Sequence, residues 1–146
     1  MAMAHDVFIS YSAKDKVFAD AAVASLEERG MQCWLAPRNI PAGAEWGESI
    51  VRAIQESKVM VLVLSANSNE SRQVRHEVER VDHYHVPILP VRIEDFQLTG
   101  NMEYHLPASQ WLDATQAPFE QHLPHLADSV QYLLKQGPAH KTRIPL

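Results

Sequence analysis

The sequence predicts an α/β fold, a doubly wound (flavodoxin-like) parallel five-stranded sheet in the order 2-1-3-4-5 with helices on both faces. Three observations lead there. Short apolar runs alternate with amphipathic segments of helical period, the signature of successive βαβ units. Val59 to Leu64 is an unbroken apolar run, as expected of a strand covered on both faces. The chain has 146 residues, the size of one compact domain, with 46% apolar and 21% charged residues, so a single packed core is expected and disorder is not.

Val7-Phe8-Ile9, bounded by Asp6 and by Ser10-Tyr11-Ser12, reads as the first strand. Lys14 to Arg29 reads as a helix with Val17, Phe18, Ala21, Ala22 and Leu26 inward and Gly30 as its stop. Met31 to Leu35 is the second strand, followed by the loop Ala36 to Gly43, whose two prolines deny it regular hydrogen bonding. A helix from Glu45 to Ser57 places Trp46, Ile50 and Ile54 on one face, and the Val59 to Leu64 strand follows. Ser65 to Asn69 offers several N-cap candidates for a helix from Glu70 to His83 with Val74, Val78 and Val81 buried. Val86 to Val91 is a fourth strand whose Pro87 and Pro90 suggest an edge or irregular position. Arg92 to Ala108 shows no clear pattern. Ser109 to Leu112 reads as a fifth strand, and Phe119 to Gln136 as a helix with Leu123, Leu126, Val130, Leu133 and Leu134 inward. Residues 137–146 read as a linker or tail, of the kind that leads to a further domain.

Composition narrows the function. The net charge of −5 is spread along the chain and leaves no basic stripe for a nucleic acid backbone. No apolar run is long enough to span a membrane, and the amino terminus lacks the pattern of a secretory signal. The single cysteine, Cys33, lies in an apolar stretch and reads as a small buried hydrophobe, which fits a cytoplasmic setting. Neither G-x-G-x-x-G nor G-x-x-x-x-G-K-[ST] follows a strand, the acidic residues of a phosphorelay receiver are missing from the strand ends, and there is no G-x-S-x-G elbow. His76-Glu77-Val78-Glu79-Arg80 begins like a zinc-protease helix but has arginine where the second histidine belongs, so no metal site is assigned.

Ligands of such sheets bind beyond the carboxyl ends of the strands, at the switch point between the first and third. That rule nominates Ser10 to Asp15, Ala36 to Gly43 and Ser65 to Asn69. It also makes Glu77 a candidate, since at 100° per residue it falls roughly 70° from the centre of the Val74, Val78, Val81 stripe, on the helix boundary. The competing reading of Glu77 is a surface ion pair with Arg80.

The segments His5-Asp6-Val7-Phe8-Ile9-Ser10-Tyr11-Ser12 with Lys14-Asp15, Trp34-Leu35 with Arg38-Asn39-Ile40-Pro41-Ala42-Gly43, and Val61-Leu62-Val63-Leu64-Ser65 resemble the conserved boxes of Toll/interleukin-1 receptor (TIR) domains. The resemblance spans residues 4–136, and the run Asn67-Ser68-Asn69-Glu70-Ser71 looks more like the bacterial members. In the enzymatic branch of that family the domain cleaves NAD+ at the nicotinamide-ribose bond, and Glu77 matches the catalytic glutamate. The resemblance implies NAD+ as substrate, with no separate cofactor, and either ADP-ribose or a cyclic isomer as product. It further implies that Ser10, Tyr11 and Ser12 line the nucleotide site, with Arg38, Gly43 and Trp46 in or beside the protruding BB loop. Gln73 joins this set, standing where many active members carry an aromatic residue. The alternative for Tyr11 and Trp46 is packing, and for Arg38 solvation or contact with a neighbouring subunit. The partners implied are other TIR domains in a self-associated array, in antiviral defence or signalling. The alternative is a non-catalytic TIR interaction module, or an effector that binds other TIR domains.

Overall fold

The structure, a computed structural model, describes residues 5–106 and 111–136. Its sheet comprises β1 (Val7–Ser10), β2 (Cys33–Trp34), β3 (Val59–Leu64), β4 (Ile88–Arg92) and β5 (Leu112–Asp113). The strands run parallel in the order β2-β1-β3-β4-β5. The helices are α1 (Lys16–Glu28), α2 (Trp46–Glu56), α3 (Ala66–Glu70), α4 (Arg72–His83), α5 (Gly100–His105) and α6 (Leu123–Gln136).

The alternation of side chains along each strand sorts the core into two layers. Val7, Ile9, Val61, Val63 and Val91 face α1 and α6, where Phe18, Ala22, Leu26, Leu126 and Val130 meet them. Phe8, Met60, Leu62 and Leu64 face the opposite way, onto Ile50 and Ile54 of α2, Val74, Val78 and Val81 of α4, and Met102 of α5. All six residues of β3 are fully buried, which explains its lack of polar alternation. Phe8 and Trp34 stack with ring centroids 5.2 Å apart, tying the two strands at that side of the sheet.

Helix α1 ends in a Schellman motif. Gly30 takes a left-handed φ of +88°, its N–H donates to the Glu27 carbonyl, and the Met31 N–H donates to that of Leu26. Its buried residues are Phe18, Ala19, Ala22, Val23 and Leu26, whereas Val17 is 74% exposed on the flank of the expected stripe. The second strand is shorter than Met31 to Leu35, because the Leu35 N–H is taken by the Asn39 side chain and the chain turns away from the ladder. The helix expected from Glu70 to His83 is α4, which starts at Arg72, and the turn expected before it, Ser65 to Asn69, is itself helical as α3. Ser65 caps α3 and Ser71 caps α4, each hydroxyl accepting from a backbone N–H three residues on, and the extended conformation of Ser71 separates them.

The fourth strand is not an edge, since it pairs with β3 and β5. Pro90 fits inside it for a local reason. Among the described residues only Val91 and Arg92 pair with β5, and Ile93 N–H donates to Leu64 on the β3 side, so by alternation the missing N–H of Pro90 falls on the β5 side, one residue before that pairing. Trp46 is 55% exposed rather than buried, and Leu123, Leu133 and Leu134 are only half-buried beside Leu126, Ala127 and Val130. Residues 119–122 form a 3-10 turn before α6. Helix α5 lies in the segment that showed no pattern. Of the expected fifth strand, Ser109 and Gln110 lie outside the described residues, as does the tail 137–146, while the observed strand begins at Leu112.

Leu62, buried to 0% exposure between the α2 and α4 layer and the sheet, tests this architecture. Leu62→Ala is expected to cost about 2–5 kcal/mol, read as a lower urea midpoint with an unchanged slope.

Candidate active site

The three nominated loops form one hydrogen-bonded surface at the carboxyl edge of the sheet. Asp15, closing the 3-10 turn after β1, accepts from the Ser65 hydroxyl and from the Asn67 amide at 3.0 Å, which ties the first loop to the third. The Tyr11 hydroxyl donates to the Ala36 carbonyl, which ties the first loop to the second. Ser12 accepts from the Lys14 N–H and caps the turn between them. The switch point between β1 and β3 is therefore held by side chains as well as by the strand ladder.

Glu77 lies beside this surface, in the second turn of α4, and is 6% exposed. Ser10, the last residue of β1, donates its hydroxyl to Glu77 Oε1 at 2.6 Å, and Gln73, one helical turn earlier, donates its amide to Oε2 at 2.8 Å. The carboxylate thus turns inward to the sheet and not along the helix surface toward Arg80. Helical geometry alone leaves Glu77 on a boundary. Packing of α2 against α4 closes that flank and makes the boundary a seam. Burial raises the Glu77 pKa to about 7, and the hydrogen bonds from Ser10 and Gln73 oppose the rise without cancelling it.

A cleft of about 540 Å³ opens over the carboxylate between α2 and α4, within the usual range for a small-molecule site. Its α2 wall is largely apolar, with Trp46, Ile50 and Ile54, and its α4 wall is polar, with Gln73, His76, Glu77 and Arg80. Of the residues expected from sequence, Glu77, Ser10, Gln73 and Trp46 are brought together at this cleft and its floor. Tyr11 and Ser12 serve the loop framework beside it. Gly43, with φ +82°, shapes the BB loop. Arg38 points elsewhere, its guanidinium paired with Glu27 of α1 at 2.8 Å and donating to the Cys33 carbonyl. Cys33 is buried, and burial pushes its thiol up to about 12. Asp15, Ser65 and Asn67 were missed as a unit because only the fold joins residues so far apart in sequence. His76 and Arg80 were legible as neighbours of Glu77 on one helix face, through their spacing from Gln73. Among the described residues no cluster of three or more His, Cys, Asp or Glu side chains is placed to hold a metal.

The raised pKa has a stability consequence. In the unfolded chain Glu77 ionises near 4.5, and in the native protein near 7, so the native state binds the extra proton between those values. Glu77 therefore favours folding most below pH 4.5, and that contribution is lost as the pH rises through 7. Glu77→Gln is expected to stabilise the protein on the order of 2 kcal/mol at pH 8 and much less at pH 5, with the exposed Gln73 amide turning over to face the new side chain. Thermal melts of both proteins across pH 5–8 check it.

The profile of the TIR domain family matches residues 7–127. Among solved structures, the TIR domain of the Toll-related receptor TRR-2 from Hydra magnipapillata has a TM-score of 0.71 at 19% identity, over 87% of this chain and 98% of that one. A metazoan TIR-STING receptor from C. gigas has a TM-score of 0.64 at 25% identity, over 89% of this chain but 41% of the receptor, so the chain spans less than half of that protein. The TIR domains of the activated Roq1 resistosome, which recognises the pathogen effector XopQ, have a TM-score of 0.59 at 18% identity, over 90% of this chain and 96% of that one. No helix among the described residues is long and apolar enough to cross a membrane. With a family profile over most of its length and a five-stranded parallel sheet in the order its alternating elements predicted, the chain belongs to the TIR domain family.

Proposed function

We propose that this TIR domain is an NAD+ nucleosidase. The observation that supports the reading is Glu77, a buried carboxylate clamped by Ser10 and Gln73 at the floor of a cleft with one apolar and one polar wall. Cleavage of the C1′–N1 bond sends its electron pair to the pyridinium nitrogen, so nicotinamide departs as a neutral molecule and needs no general acid. The ribosyl group left behind develops positive charge at C1′ and O4′. A carboxylate fixed before the reaction, in a site poor in water, stabilises that charge without reorganising. Water attacking C1′ gives ADP-ribose and a proton, whereas a ribose hydroxyl or adenine nitrogen of the same molecule gives a cyclic isomer. The product then depends on which nucleophile the site holds nearest.

Only the ionised form of Glu77 can act in this way. A bound pyridinium lies close enough to favour that ionised form, which moves its titration downward in the complex. The proposal extends to regulation: TIR domains associating through the exposed BB loop raise activity, in a cytoplasmic defence or signalling role.

The test is incubation of concentrated protein, with and without a clustering agent, with NAD+, followed by mass-resolved chromatography for nicotinamide, ADP-ribose and cyclic isomers. Glu77→Ala is expected to reduce nicotinamide release by about a thousandfold or more while the fold and self-association persist. For the wild type, kcat/KM is expected to rise with pH through about 7 to a plateau, and kcat to reach its plateau at lower pH. Assembly with no nicotinamide release would overturn the enzyme reading and leave an interaction module, and release that survives Glu77→Ala would overturn the role given to Glu77.

A further inference from the structure

The ionised Glu77 carboxylate orients the amide of Gln73. In the ionised form that the reaction needs, Glu77 can only accept hydrogen bonds, so the Gln73 atom 2.8 Å from its Oε2 is then the nitrogen, and the carbonyl oxygen Oε1 is left over. Gln73 is exposed, lines the cleft, and stands one helical turn from Glu77 toward the carboxyl edge of the sheet. No hydrogen bond to its Oε1 occurs among the described residues. The cleft thus carries an uncommitted acceptor, with a second amide N–H beside it, next to the Glu77 carboxylate.

Resting on the reading of Glu77 given above, we propose that Gln73 is the specificity residue for the leaving group. Its Oε1 accepts from the carboxamide NH2 of nicotinamide and selects dinucleotides whose pyridine bears a carboxamide over those bearing a ketone. The pyridine ring is bonded to C1′ and must lie within a few ångströms of Glu77, which places its 3-substituent at the height of residue 73 or residue 80 on α4. Arg80 offers only donors and would suit the carbonyl of either substituent. Of these two positions Gln73 alone offers an acceptor, so between them it is the one that distinguishes NH2 from CH3. Trp46, across the cleft on α2, supplies an apolar wall for the ring and makes no such distinction.

The experiment compares kcat/KM for NAD+ and for its 3-acetylpyridine analogue, which keeps the ring and the carbonyl but lacks the NH2. It is run on the wild type and on Gln73→Leu and Gln73→Ala, with Glu77→Ala as the blank. Intrinsic leaving-group differences are the same for every protein, and any loosening of Glu77 slows both substrates alike, so both cancel in the ratio. The preference for NAD+ is expected to fall about tenfold in each Gln73 variant, the worth of one hydrogen bond realised in the site. A preference unchanged within about twofold, in variants that still release nicotinamide in a Glu77-dependent way, would overturn the role of Gln73 and leave the nucleosidase reading standing. No Glu77-dependent release from either dinucleotide by the assembled wild type would overturn both.

Discussion

The hydrogen bond from Ser10 to Glu77 joins the end of the central strand pair to the helix that covers it, and it does so where water is nearly absent. A buried carboxylate is costly unless it is hydrogen-bonded or neutralised. Here both remedies are partly used: two donors hold the charged form, while burial draws the pKa to about 7 and lets the proton return. The native state therefore stores free energy at Glu77 that an apolar or amide side chain would release. A position that lowers stability in the unliganded protein and is nonetheless furnished with two aimed donors is a candidate functional site.

The rest of the site follows from keeping that carboxylate in place. Its depth comes from α2, whose Ile50 and Ile54 pack beside Val74 and Val78 and close the flank that a lone helix would expose. Its direction comes from Ser71, which ends α3 and restarts the chain as α4, so that the first turn of the new helix carries Gln73 and the second carries Glu77. Its surroundings are braced by Asp15, which binds the loops after β1 and β3 together, and by Tyr11, which reaches the loop after β2. Arg38 has the opposite part: paired with Glu27, it anchors the root of the BB loop to α1 and leaves the cleft without its charge. The cleft is left with one apolar and one polar wall.

The periodicity of the chain made most of the fold legible. Continuous burial of β3, the Gly30 stop, the amphipathic faces of α2 and α4, and the sheet order all lie in local pattern, because strand and helix periods are set by backbone geometry and by the demand for a dry core. The misplaced boundaries share a cause, competition by polar side chains for backbone groups. Asn39 shortens β2, Ser65 caps a short helix where a turn was expected and Ser71 moves the start of the next to Arg72, and α5 is too short for its period to show. Pro90 inside β4 is tolerated only because β5 begins one residue later, a fact of register that no single-strand pattern carries.

Glu77 was visible in the sequence as a boundary carboxylate near a switch point, and that much follows from helix geometry and topology alone. Its burial, its two donors and its elevated pKa were decided by tertiary structure, since they depend on α2 approaching α4 and on β1 ending at Ser10 beneath them. The same holds for the separation of roles between Arg38 and Gln73. The family resemblance implied a nucleotide site for both, but the nearest opposite charge claimed one and the nearest carboxylate oxygen oriented the other. Local sequence sets which faces are apolar and where helices can begin. Which polar groups then find each other is a property of distances between residues far apart in the chain, and only the packed fold supplies them.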